Sequence, residues 1–229
     1  MHRHAFLVAG LLLLPLVPTA PAVAKDKAHL TVTIDTAQIG TPPGPDAVSK
    51  DLAAVLSAQH ERTPTREDNA VKDARQTLTR FLEGMNATVD KHALKKARQL
   101  FKDATVALET ALGTVKERFD RPRPFKESTE VKTCPIKLPQ SSSFPSTHAG
   151  TGTLFAALLA HVAPERKAEL EERGLDYGWS RVVCGFHFPT DVEAGRKAGR
   201  LVAEALLRDP AIAMKLERSA PELRKALGL

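Results

Sequence analysis

The chain predicts an all-α protein built as a single compact helical domain, and three observations carry that prediction. From Asp46 to the C-terminus apolar residues recur at spacings of three and four, the period of helices with one buried face. Prolines 64, 122, 124, 164, 189 and 210 fall at the seams between these stretches, where proline starts or stops a helix. No strand-rich region and no internal repeat interrupts the pattern.

The elements follow in order. The opening MHRHAFLVAGLLLLPLVPTAPAVAKDK has a basic start at Arg3, an apolar run to Val17 and a small-residue Ala22-Val23-Ala24 site. It reads as a signal peptide over 1–24, removed after Ala24, and is too short and proline-interrupted for a membrane span. No later segment is apolar enough for a span, so the mature chain is expected to lack a transmembrane segment and to be periplasmic or secreted. Residues 25–45 alternate briefly and then run through Thr-Pro-Pro-Gly-Pro, an extended arm with no helix of its own. Residues 46–229 form the helical domain.

Within it, Val48, Leu52, Val55 and Leu56 line a first helix, closed by a turn at Arg62-Thr63-Pro64. Thr65 and Asp68 suggest a capping box opening a helix that carries Val71, Ala74, Leu78 and Phe81 and ends at Gly84. Leu94, Ala97, Phe101, Ala104, Leu108, Leu112, Val115 and Phe119 then mark a helix of over seven turns. A coiled-coil partner and a buried central position explain that stripe equally well. The prolines at 122 and 124 stop it, and 125–143 reads as loop. Helices are expected again at 147–162, 164–177, 189–208 and 210–227.

Composition narrows the function. The net charge of +6 is spread along helices, and aromatics make up only 5% of the chain. A nucleic-acid surface concentrates charge and adds stacking rings, so no nucleic-acid partner is expected. The two cysteines, Cys134 and Cys184, are expected to form a disulfide in an oxidising compartment. Neither has the short-spaced partners of a zinc site.

Three short stretches sit where helices begin or end. KERFDRPRP carries Lys116 and Arg123. FPSTHAGTG carries Ser146, suited to an N-cap, with the N–H groups of Thr147 and His148 free at a helix N-terminus. SRVVCGFHFPTD carries Arg181, His187 and Asp191. Each alone is compatible with a solvated loop, a plain cap or a surface ion pair. Together they supply three cations, a helix N-terminus and two histidines with one obvious carboxylate. Such a set repels a metal ion and suits a tetrahedral oxyanion, whose oxygens guanidinium forks grip in pairs.

The three stretches also carry a signature, K-x6-R-P, P-S-G-H and S-R-x5-H-x3-D, met here by Lys116 with Arg123-Pro124, by Pro145-Ser146-Thr147-His148, and by Ser180-Arg181, His187 and Asp191. The sequence resembles the type 2 phosphatidic acid phosphatase superfamily and within it the bacterial class A non-specific acid phosphatases. The likeness extends to the Pro-rich arm, the L-A-A-V-L…R-T-P helix, the D-V-E-A-G run and a cysteine before the second element. It implies a helical fold of the acid phosphatase and vanadium haloperoxidase type. It further implies hydrolysis of small phosphomonoesters without metal or cofactor, an acidic optimum and inhibition by vanadate, and it strengthens the Cys134–Cys184 expectation. Thr147 stands where the signature has glycine, and Ala149 where class A members carry threonine. The Thr147 side chain is expected to crowd the pocket or to force a different φ.

The resemblance assigns roles. His187 is the nucleophile that forms a phosphohistidine, Asp191 orients it, and His148 is general acid and then base. Lys116, Arg123, Ser146, Thr147 and Arg181 hold the phosphoryl oxygens. These roles predict a bell-shaped pH profile with His187 neutral and His148 protonated. His29, His60, His92 and His161 are expected at surface or boundary positions, and Tyr177 and Trp179 as packing residues. The rivals are a vanadate-dependent haloperoxidase, a lipid-phosphate phosphatase and an inactive phosphate-binding homologue. A homo-oligomer is compatible with the chain.

Overall fold

The computed structural model describes residues 30–229, and the expected signal peptide and His29 lie outside them. Among the described residues there is no strand. The helices are α1 (Pro45–His60), α2 (Pro64–Lys72), α3 (Leu78–Glu83), α4 (Lys95–Phe119), α5 (Pro124–Glu127), α6 (Thr147–Val162), α7 (Lys167–Val183), α8 (Pro189–Arg208), α9 (Pro210–Glu217) and α10 (Ala220–Ala226). No helix among the described residues is long and apolar enough to cross a membrane.

The apolar stripe of α4 finds its partner inside the molecule. Ala97, Phe101, Ala104, Leu108, Leu112 and Val115 are buried in the main core with Phe81, Leu154, Phe155 and Leu158. Phe155 of α6 meets Phe101 and Phe81 edge-on at 5.1 and 5.8 Å, the arrangement ring quadrupoles favour. α6 is apolar nearly all round because α4, α7 and α8 cover it.

Glycines set how closely those helices approach. A Cβ on Gly195 would stand 2.0 Å from the Ser146 carbonyl oxygen, and one on Gly199 2.3 Å from that of Gly150. On the other side, a Cβ on Gly152 would lie 2.7 Å from the Gly174 carbonyl. α6 therefore touches α7 and α8 backbone to backbone. This contact brings the start of α6, the end of α7 and the start of α8 to one end of the bundle.

Several boundaries depart from the periodic pattern. The arm carries a 3-10 turn at Thr36–Ile39, capped by Asp35, whose side chain accepts the Ala37 N–H at 3.0 Å. Ile39 is buried, and Leu30, Val32 and Ile34 pack against the core, so burial gives the arm a structure that its prolines do not suggest. Thr63, not Thr65, caps α2: its side chain accepts the Arg66 N–H at 3.2 Å, and Pro64 takes the first helical position. Asp68 pairs with Lys72 instead.

The single helix expected through Phe81 is two helices, because buried Asp73 is held by Arg80 and Arg173 and Thr77 starts α3 with its own cap. The loop after Pro124 opens with the single turn α5. Residues 164–166 are a 3-10 turn, and α7 runs on to Val183, placing Ser180 and Arg181 in its last turns. The last helix breaks at Arg218–Ser219, since Pro221 has no N–H to continue the ladder.

Candidate active site

Lys116 lies on the last turn of α4, and the prolines at 122 and 124 turn the chain so that Arg123 leads into α5. Both cations are aimed by carbonyls of the segment that follows. Lys116 Nζ donates to the Ser142 and Pro145 carbonyls at 3.1 and 2.6 Å. Arg123 donates to the carbonyls of Ser141, Phe186 and Ser142 at 2.8, 2.9 and 3.2 Å. Arg181 donates to the Ala70 carbonyl and lies over the Phe186 ring at 5.6 Å. The acceptors are neutral, so none of the three is bonded to a carboxylate; Asp191 attracts Lys116 and Arg123, and Asp73 attracts Arg181, without a hydrogen bond. Burial above all pulls Lys116 down to about 8 and both Arg123 and Arg181 to about 10.

The cations line one cavity of about 610 Å³, together with Thr147, His148 and His187. Gln76, Glu109, Ile136 and Lys137 also line it. Thr147 is the first residue of α6 and has a negative φ. Neither a different φ nor a glycine is needed there, and its N–H keeps the helix-end position that suits an anion. Ser146 takes the N-cap position expected of it: it is fully buried, and its Oγ accepts the Ala149 N–H at 3.3 Å.

His187 is buried, with its Nε2 accepting from Arg123 Nη1 at 3.1 Å. That donor fixes the tautomer, leaving the proton on Nδ1. Nδ1 faces Asp191 Oδ2 at 3.6 Å, too long for a direct hydrogen bond. Ser143 Oγ stands 3.5 Å from the same nitrogen and donates to Asp191 Oδ2 at 2.6 Å, so it bridges the pair. Asp191, at the third position of α8, also accepts the Phe188 N–H at 2.9 Å. Burial drives the Asp191 pKa upward, but His187, Arg121 and Ser143 outweigh it and hold the group below its ordinary value. Burial, followed by Arg123 and Lys116, takes His187 down to about 3 against the pull of Asp191.

His148 stacks on Tyr177 with ring centres 4.5 Å apart, and the tyrosine hydroxyl donates to the Arg75 carbonyl at 2.6 Å. Burial, then Arg181 and His187, push His148 well below the usual histidine range. A protonated His148 at mildly acidic pH is therefore not met with these neighbours alone. An anion against Arg181 would offset that push. Among the described residues five buried side-chain atoms have no hydrogen-bond partner, and two of them, His148 Nε2 and Arg181 Nε, belong to residues lining this cavity.

Cys134 and Cys184 are bonded, tying the loop that carries Ile136 and Lys137 to the end of α7. His60, His92 and His161 are exposed. Sequence reasoning missed four supports of the site: Asp51, Arg121, Ser143 and the Tyr177 platform. Asp51 alone left a trace, as a carboxylate at the helical spacing of Val48 and Val55 on the apolar face of α1.

Comparison with known proteins agrees with this geometry. The sequence profile described as PAP2 superfamily matches residues 104–214, a stretch that runs from before Lys116 to beyond Asp191. A non-specific acid phosphatase of Providencia stuartii is 30% identical over 200 residues, covering 80% of this chain and 79% of that protein. The chain belongs to the PAP2 superfamily. An acid phosphatase of Zymomonas mobilis is 32% identical over 74% of this chain and 67% of its own length. The non-specific acid phosphatase of Salmonella typhimurium is 38% identical over 116 residues, 49% of this chain, and the match spans 46% of that relative. A transmembrane PAP2 type phosphatidylglycerolphosphate phosphatase from Bacillus subtilis shares the fold, with a TM-score of 0.52 over 74% of this chain and 87% of that one, at 22% identity.

Proposed function

We propose that the protein is an acid phosphatase that hydrolyses small phosphomonoesters through a phosphohistidine on His187, without a metal. One observation carries the reading: three cations with no carboxylate bonded to them and two buried imidazoles line a single cavity.

In the first step His187 Nε2 forms a bond to phosphorus while the ester P–O bond breaks, and His148 gives a proton to the leaving alkoxide. Arg123, displaced from Nε2 by the incoming phosphorus, turns its N–H groups to the phosphoryl oxygens with Lys116, Arg181 and the Thr147 N–H. The Nδ1 proton of His187 stays on the ring as it becomes cationic, and Asp191, directly and through Ser143, stabilises that charge. Apo hydrogen bonds of this kind are commonly long and shorten in the reacting complex. In the second step water attacks phosphorus, the P–N bond breaks, and the proton lost by water returns to His148. The products are an alcohol and inorganic phosphate.

The homologues named non-specific acid phosphatase support the monoester class. The Cys134–Cys184 bond supports residence in an oxidising compartment such as the periplasm. The test is rapid quenching with a labelled aryl phosphate in the presence of chelator. The expected result is an acid-labile phosphoprotein with label on His187, unaffected by chelation and suppressed by vanadate. Turnover that requires added metal, or label on another residue, would overturn the reading.

A further inference from the structure

Arg121 lies in the gap between Lys116 and Arg123, and the motif gives it no role. It is nevertheless among the most buried charges of the molecule, 8% exposed. Its Nη1 donates to Asp191 Oδ1 at 2.6 Å and to Thr190 Oγ1 at 2.8 Å, and its Nη2 donates to Asp51 Oδ2 at 2.9 Å. The guanidinium lies over the Phe188 ring, its Cζ 4.1 Å from the ring centre. Its carbonyl accepts the N–H of Ser143, the residue bridging His187 and Asp191, at 2.8 Å. Thr190 also donates to Asp51 through its hydroxyl and its N–H.

The two oxygens of Asp191 are thereby divided. Arg121 takes Oδ1, so the carboxylate cannot turn, and Oδ2 is left for Ser143, Phe188 N–H and the His187 ring. A lone guanidinium at 2.6 Å would cancel much of the field that Asp191 exerts on His187. Asp51, on the far side of the same guanidinium, offsets that charge. The result is a line of alternating charge, Asp51, Arg121 and Asp191, running from α1 to the His187 ring at the cavity.

We infer that Arg121 is a positioning residue for the His187–Asp191 pair, with Asp51 setting how strongly Asp191 acts on the ring. The inference rests on the phosphohistidine reading above. The other charged groups around the pair are Lys116 of α4, Arg123 before α5, His148 of α6 and Arg181 of α7, and the variants below leave all of them in place.

The test compares Arg121→Gln, Arg121→Lys and Asp51→Asn, using rapid-quench phosphoenzyme formation, KM, vanadate affinity and the acid limb of kcat/KM, with thermal melts to show folding. Arg121→Gln is expected to slow phosphoenzyme formation by about 10- to 100-fold, the usual effect of losing a supporting partner of a reactive ligand. KM and vanadate affinity should stay within about threefold, because the cup that holds the anion is intact. Arg121→Lys should recover part of the rate, since one ammonium can hold Asp191 but cannot fork to both carboxylates.

The acid limb discriminates further. Removing the guanidinium makes the ring more basic and should move the limb to higher pH. Asp51→Asn leaves Arg121 unopposed and should move it to lower pH. A merely structural role predicts lost folded protein and no such opposed shifts. Folded Arg121→Gln forming phosphohistidine at the wild-type rate, or Arg121→Gln and Asp51→Asn limbs shifting together or not at all, overturns the assignment. Should Arg121→Gln not fold, the lysine and Asp51→Asn variants decide by the same limbs. Wild-type protein that never forms phosphohistidine overturns the reaction instead, so the two failures are distinct.

Discussion

Two buried aspartates sit at the same end of this bundle, and they do different work. Asp73 accepts from Arg80 Nε at 2.7 Å, from Arg173 at 2.7 and 3.0 Å and from Ser180 Oγ at 3.1 Å. Arg173 also donates to the Phe81 carbonyl, so this cluster is closed in every direction and locks α2, α3 and α7 together. Asp191 is held by Arg121, Ser143 and the Phe188 N–H, but its remaining neighbour is His187, 3.6 Å away and facing a cavity. Burying a charge with all its partners yields a rigid joint. Leaving one partner free to change protonation and bonding yields a site for chemistry.

The comparison breaks most sharply at His187. Replacing it with alanine should lower turnover by at least about 10⁴-fold and leave the melting transition nearly unchanged. Substantial activity in that variant would remove His187 from the mechanism. The mirror experiment is Asp73→Ala. It strands Arg80 and Arg173 without their carboxylate, and breaking a buried pair costs about 3–5 kcal/mol, measurable by urea denaturation. The surviving folded molecules should still turn over, because the hydrogen-bond partners of Asp73 are Arg80, Arg173 and Ser180, and none of them is assigned a role in the reaction. An Asp73→Ala protein as stable as wild type would refute the joint.

Acid sharpens the contrast more mildly. His187 at about 3 and His148 well below the usual range bind protons less readily folded than unfolded, where histidine titrates near 6.5. Their contribution to stability is therefore fully present above about pH 6.5 and is lost as pH falls toward their folded values, by up to about 1.4 kcal/mol per pH unit for each ring. Asp73 and Asp191, both held below the ordinary carboxylate value, add losses only further down. Phosphate should protect progressively better as pH drops from 6.5 to 4.5, because its charge favours the protonated rings. Denaturation at several pH values with and without phosphate checks this, and a flat dependence would speak against buried neutral histidines.

The smallest effect is expected at Thr147→Gly, the change toward the signature. Thr147 already has helical backbone and supplies the same N–H, so KM should move by no more than about threefold. Glycine in a helix costs roughly 0.5–1 kcal/mol. A large gain in activity would show that the threonine side chain crowds the cup.

The sequence determined the class, the long central helix and the eight candidate site residues, because helical periodicity and proline seams are local and the motif residues stand at fixed spacing. It also determined the pairing of two cysteines that had no other partner in the chain. Only the tertiary structure decided where the periodic stretches break: Asp73 and Thr77 divide one expected helix because a buried carboxylate must meet arginines from α3 and α7. Only the fold revealed that Tyr177 backs His148, and that Asp51, Arg121 and Ser143 stand behind His187. Those partners lie up to 140 positions apart, as Thr190 and Asp51 do at a separation of 139. Such contacts exist only once the glycines of α6, α7 and α8 let three helices close to backbone distance, and no pattern along the chain records a distance.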